Sequence, residues 1–167
     1  VAFLVIGDVF GATTHIDLML RAKEKKVKVK IVNNASILNA IGILGLELYK
    51  FGKTTSIPFN NKDVETPLRV VEDNQKLGLH TLLLLDLNPK DEKYMSVGEA
   101  LSYLLGKGLD KDSLCVGCGA IGSENPEVKV GKASELTDEK FNKSPQCLVI
   151  VGKLHFVEEE ALNALWR

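Results

Sequence analysis

The sequence predicts an α/β protein with a mixed sheet, and three observations carry that expectation. Strand-like and helix-like stretches alternate along most of the chain. The runs "VAFLV" at the start and "HTLLLLDL" in the middle are continuously apolar, the pattern of strands buried on both faces. Three more strand-like stretches then follow with little helix between them, which breaks the alternation.

The chain opens inside "VAFLV", with no methionine and no polar lead-in. A buried strand needs neighbours, so residues preceding Val1 are expected. The run ends at Gly7-Asp8, and a loop through Gly11 reaches Thr13 and Thr14, either of which can cap a helix through "HIDLMLRAKEKK". That helix ends in a basic turn, which suits the negative end of its dipole. "VKVKIVN" alternates as a half-buried strand, and "SILNAIGILGLELYK" reads as a well-buried helix capped by Ser36. "TTSIPF" is a candidate strand and "DVETPLRVVEDNQKLG" an exposed helix interrupted by Pro67. "MSVGEALSYLLGKG" carries a capping box, with Ser96 followed three residues later by Glu99, and leaves through glycines. "SLCVGCGAIG", "EVKVGKASEL" and "QCLVIVG" are strands, and "HFVEEEALNALW" is a closing helix.

Composition bounds the function. With 167 residues, 45% apolar and 26% charged, the chain is globular and holds one ordinary domain or two small ones. A net charge of -1 gives no bulk attraction to nucleic acid or to an anionic membrane. No apolar run has the length of a membrane span and no signal-peptide pattern is present. Three cysteines, an odd number, argue against a disulfide framework and for a reducing compartment, so a cytoplasmic protein is expected.

Ligands of open α/β sheets bind beyond the carboxyl ends of strands. Three loops fit that position: after Val5, after Leu85 and after Val116. "GCGAIG", Gly117 to Gly122, matches G-x-G-x-x-G but is followed by Pro126 and a strand instead of a helix, so no dinucleotide site is expected. Its glycines still imply that a backbone or a ligand comes close. Cys115 and Cys118 form C-x-x-C on a strand, with no second pair at zinc-like spacing, and read as core; no metal site is expected. His15 reads as a capping or packing residue and His80 as structural, whereas His155 follows a strand and a glycine and is a candidate ligand contact. Asp8 either faces solvent or caps, or it meets a small molecule with a cationic or hydroxyl-rich portion. No nucleophile elbow, paired-carboxylate motif or P-loop is present, and no catalytic residue is named.

The stretch "GDVFGATTHIDLMLRAKEKKVKVKIVNNASILNAIGILGLELYKFGK" resembles the diphthine synthases, S-adenosylmethionine-dependent methylases of the tetrapyrrole methylase-like superfamily. The likeness continues in "GLHTLLLLDL", "YMSVGEAL", "LCVGCGAIGSENPEVKVG" and "LVIVGKLHFVEEEAL", and so covers nearly the whole chain in order. G-D-x-x-x-A-T-T-H, N-A-S-I and G-K-L-H together carry it. The resemblance implies a two-domain fold, with residues 1–33 ending a first domain and 34–167 forming the second. It also implies a chain shorter than its relatives after Phe59 and after Leu87.

The resemblance places the cofactor against Asp8, Gly11, Ser36, Ile37, Leu85, Gly119 and His155, with S-adenosylhomocysteine as product. It implies methyl transfer to the 3-amino-3-carboxypropyl-histidine of translation elongation factor 2, in diphthamide biosynthesis, by a homodimer. Such transfer relies on alignment of an activated methyl group more than on a catalytic triad. Two departures stand out: Val9 replaces the proline usual after Gly-Asp, and Gly119-Ala120 stands where relatives carry alanine-arginine. The alternatives are another tetrapyrrole methylase-like methyltransferase, or a non-catalytic adenosylmethionine-binding protein.

Overall fold

The computed structural model describes residues 1–11 and 13–166. It divides into two compact units, Val1–Ile41 and Gly42–Arg167.

In the first unit, helix α1 (Ile16–Glu24) starts at His15, not at Thr13 or Thr14, and its N-cap makes no side-chain hydrogen bond. The His15 ring instead lies edge-on to Phe3, with centroids 5.4 Å apart, and its Nδ1 is 3.0 Å from the Val9 carbonyl. Neither "VAFLV" nor "VKVKIVN" forms a strand. A strand exists through its hydrogen-bonded ladder, and neither run has one among the described residues. No described residue from 1 to 40 is therefore buried, and Phe3, Leu4, Ile16, Leu18, Val29 and Ile31 are exposed.

The predicted buried helix is three short pieces: α2 (Ile37–Ala40) and 3-10 turns at Ile41–Leu44 and Leu48–Lys50. Ser36 does cap α2, in a reciprocal box with Asn39. Glycine explains the break. Gly45 has φ +82°, and a Cβ there would lie 2.4 Å from the Ala161 Cβ.

Among the described residues, the second unit builds a five-stranded mixed sheet from β1 (Thr55–Ile57), β2 (Thr81–Leu85), β5 (Leu114–Gly119), β6 (Glu127–Lys132) and β7 (Gln146–Ile150). A small hairpin, β3 (Leu87–Asn88) with β4 (Lys93–Tyr94), follows β2. The sheet order is β1-β2-β7-β5-β6, with β1 and β2 parallel and the other pairs antiparallel. Helix α3 (Thr66–Lys76) is not interrupted by Pro67; the proline sits in its first turn, where no N–H is needed, and Val70 and Val71 are buried. Helix α4 (Val97–Lys107) has the predicted Ser96–Glu99 box and a left-handed Gly108 at its end. These helices and the short α5 (Ala133–Leu136) cover one sheet face, packing Val71, Val97, Leu101, Leu104 and Leu136 against Ile57, Leu83, Leu148 and Ile150. Helix α6 (Phe156–Trp166) closes the chain. No helix among the described residues is long and apolar enough to cross a membrane.

The buried polar centre of this unit is Glu158. Its Oε1 accepts from the Glu47 N–H (2.9 Å) and His80 Nε2 (2.9 Å). Its Oε2 accepts from the His155 N–H (2.7 Å) and from the Lys50 ammonium. Gly152 N–H donates to His80 Nδ1 at 2.9 Å, so the ring proton is on Nε2, facing the carboxylate. Burial alone would raise the Glu158 pKa; the donors from His155, Lys50, Glu47 and His80 outweigh it and hold the group at about 2. Burial lowers the His80 pKa against the pull of Glu158.

Both shifts weaken the fold in acid. A depressed pKa contributes stability that is present above the unfolded-state value and lost as pH falls toward the folded one. His80 begins to act below its ordinary 6.5, and Glu158 between 4.5 and about 2. The Glu158 shift corresponds to about 3 kcal/mol. Urea unfolding midpoints should therefore hold down to about pH 6.5, fall below it and fall further below about pH 4.5; a profile that stays flat down to about pH 3 would contradict this account.

Candidate functional site

The seven residues singled out in the sequence fall into three groups. Asp8, Gly11, Ser36 and Ile37 come together in the first unit. The Asp8 Oδ1 accepts from the N–H groups of Phe10 (2.9 Å) and Gly11 (3.1 Å), and Oδ2 from the N–H of Asn34 (3.1 Å). Asp8 thereby closes its own loop and ties it to the segment before Ser36. The Phe10 and Asn34 N–H bonds hold the carboxyl below its ordinary pKa, so it is ionised at neutral pH. Gly11 is required by packing, because a Cβ there would lie 2.4 Å from the Ser36 Cβ. Ser36 accepts from the Leu38 N–H at 3.2 Å, and Asn39 Oδ1 accepts from the Ser36 N–H at 2.7 Å, which fixes the start of α2 at Ile37. Ala12, within the G-D-x-x-x-A-T-T-H motif, lies outside the described residues.

Leu85 and Gly119 share one end of the sheet in the second unit. Leu85 ends β2 and Gly119 ends β5, and the start of β7 lies between them, with Gly119 opposite Gln146. Both are buried, and the Leu85 side chain belongs to the core, so these two residues have only backbone to offer at this end. The glycines of "GCGAIG" are explained by protein: a Cβ on Gly117 would lie 2.4 Å from the Phe141 ring, and one on Gly119 would lie 2.7 Å from the Lys143 carbonyl oxygen. Ala120, beyond the strand, takes φ +51°, a left-handed conformation that costs an alanine about 1 kcal/mol.

His155 lies off the opposite end. Strand β7 runs antiparallel to β2 and β5, so its carboxyl end faces the start of β2, and the Lys153 N–H donates to the Gly78 carbonyl there. His155 is exposed beside Phe156, with ring centroids 4.3 Å apart, and the Val157 N–H faces its Nδ1 at 3.4 Å.

The cysteines behave as core. Cys115 and Cys118 point to opposite sheet faces, as strand alternation requires at a spacing of three, and Cys118 stands directly across from Cys147. Burial pushes the Cys115 thiol up to about 12, and contact with Cys147 together with burial raises Cys118. Neither is an available nucleophile. Sequence reasoning named His80 as structural but missed Lys50 and Glu158. The available signal was His155 followed three residues later by Glu158, the spacing of a helix N-cap and the residue that reaches back to it.

Gly119→Ala should cost about 1–3 kcal/mol, because its Cβ meets a backbone oxygen that cannot turn away. Gly122→Ala is its control: Gly122 has φ +91° but open space around it, so only backbone strain of about 1 kcal/mol is expected. Urea denaturation of both variants measures the difference, and equal losses would refute the close packing at Gly119.

The family described as Tetrapyrrole (Corrin/Porphyrin) Methylases matches residues 1–137. A diphthine synthase of Methanococcus maripaludis is 42% identical over 99% of this chain, which spans 69% of that protein. The diphthine synthase of Methanocaldococcus jannaschii is also 42% identical, over 99% of this chain and 68% of its own length. A crystal structure of diphthine synthase superposes with a TM-score of 0.87 at 35% identity, covering 96% of this chain and 63% of that one. With that family model matching residues 1–137 and diphthine synthases 42% identical over 99% of its length, the protein belongs to the tetrapyrrole methylase family and, within it, to the diphthine synthases.

Proposed function

We propose that this methyltransferase moves methyl groups from S-adenosylmethionine to the 3-amino-3-carboxypropyl-histidine of translation elongation factor 2, in diphthamide biosynthesis. The observation that carries the reading is the 42% identity to diphthine synthases over 99% of the chain. The reading includes a cytoplasmic homodimer that acts on a protein and uses neither nucleic acid nor membrane.

The residues of the first unit fit such a cofactor. Asp8 is ionised and takes three N–H donors, which leaves acceptor capacity on a carboxylate with about four lone-pair sites. That capacity suits a cationic or hydroxyl-bearing ligand. S-adenosylmethionine, when bound, supplies a methyl group already activated by a positive sulfur. The protein has to hold the acceptor in line with it and exclude competing water. In this reading Asp8 contributes charge, Gly11 and the capped Ser36–Ile37 turn contribute a fixed backbone surface, Leu85 and Gly119 contribute backbone at their end of the sheet, and His155 contributes a ring nitrogen. An amine acceptor is a competent nucleophile once deprotonated, and water or a weak base suffices for its proton.

The test uses elongation factor from cells lacking this methylase, incubated with the protein and S-adenosylmethionine. Mass spectrometry of the modified-histidine peptide should show added methyl groups. Three complete a quaternary amine, so a fourth must reside on the carboxylate. No added mass, in protein that still binds S-adenosylhomocysteine, would move the search to another acceptor. Asp8→Ala should weaken that binding by about tenfold, the scale of one charge-assisted hydrogen bond.

A further inference from the structure

We infer that Glu158 is a positioning residue for His155, holding the loop from Gly152 to His155 so that the His155 Nε2–H points outward as a hydrogen-bond donor to an acceptor atom of the cofactor. This rests on the reading of His155 as a cofactor contact.

The loop is tied at both ends to one buried cluster. At its start, Gly152 N–H donates to His80 Nδ1, and a Cβ on Gly152 would lie 2.4 Å from the Leu79 carbonyl oxygen, so the backbone is pressed against the segment before β2. In its middle, the Lys153 carbonyl accepts from the Lys50 ammonium at 2.7 Å. At its end, the His155 N–H donates to Glu158 Oε2. Glu158 is in turn fixed by Glu47, Lys50 and His80, and its side chain is wholly buried.

This arrangement decides how the exposed ring is presented. With its N–H held by Glu158, His155 is the N-cap of α6, and its Nδ1 faces the Val157 N–H. In that arrangement Nδ1 accepts, which leaves Nε2 as the donor atom of the ring. Glu158 never reaches the ligand. It acts by holding the backbone from which His155 projects.

Glu158→Gln isolates the effect. One amide oxygen can serve only one of the two donor pairs, so the NH2 group must face either Glu47 and His80 or Lys50 and His155. With the intact protein and S-adenosylhomocysteine as probe, calorimetry should find Kd raised about tenfold in His155→Ala and about tenfold in Glu158→Gln. The double variant should be no weaker than either single one, because both remove the same contact. Independent, multiplying losses would overturn the inference, as would unchanged affinity in Glu158→Gln. Unchanged affinity in His155→Ala would remove His155 from the site and the inference with it, while weakened binding by Asp8→Ala would leave the proposed function standing. If Glu158→Gln does not fold, the unsubstituted protein still decides: the His80 Nε2–H resonance should shift when S-adenosylhomocysteine is added, and an unmoved signal would overturn the coupling.

Discussion

One carboxylate organises the second unit. Glu158 draws donors from three separate stretches of chain: the turn at Glu47–Lys50, His80 at the head of β2, and His155 in the loop between β7 and its own helix. An ion this deeply buried is tolerable only when its lone pairs are filled, and here each oxygen has two partners. The arrangement stabilises less by attraction than by constraint. Removing a donor strips the buried charge of one of its four partners, so alternative placements of these segments are disfavoured. His80 shares the burden through its tautomer, accepting from Gly152 on one side and donating to Glu158 on the other.

The first unit is organised differently. There the charge of Asp8 is spread over backbone N–H groups close by in the sequence or just before Ser36, and its geometry comes from glycine and a capped helix start. Nothing in this group is buried, and its order comes from local hydrogen bonds. Such a surface can present fixed donors and acceptors without a large core behind it, which suits recognition of a small polar molecule.

Much of this was legible in the sequence. Ser96 with Glu99, Ser36 before an apolar run, and "HTLLLLDL" each carry a local signal, and each forms what that signal predicts. Two classes of feature were not. Strand pairing is non-local: "VAFLV" has the composition of a buried strand, but composition supplies no partner. Likewise His80 and Glu158 lie 78 residues apart, and nothing near either announces the other. The broken helix after Ser36 is an intermediate case. Its apolar residues masked Gly42 and Gly45, whose weak helix propensity turned the segment into 3-10 turns once Ala161 demanded a close approach at Gly45. The direction of β7 had the same non-local origin: a strand's polarity within a sheet is set by its neighbours, and only the pairing reveals that Ile150 and Leu85 finish at opposite ends.

The order of strands carries a kinetic consequence. Strand β7 is the last in the sequence, yet it lies between β2 and β5. Until it is made, the β1–β2 pair and the β5–β6 hairpin have no strand to join them, and each offers an open apolar edge. During synthesis the β2 edge waits for about 60 further residues, which takes several seconds at ordinary elongation rates. The nascent chain is therefore most exposed to misassociation just before Gln146–Ile150 leaves the ribosome.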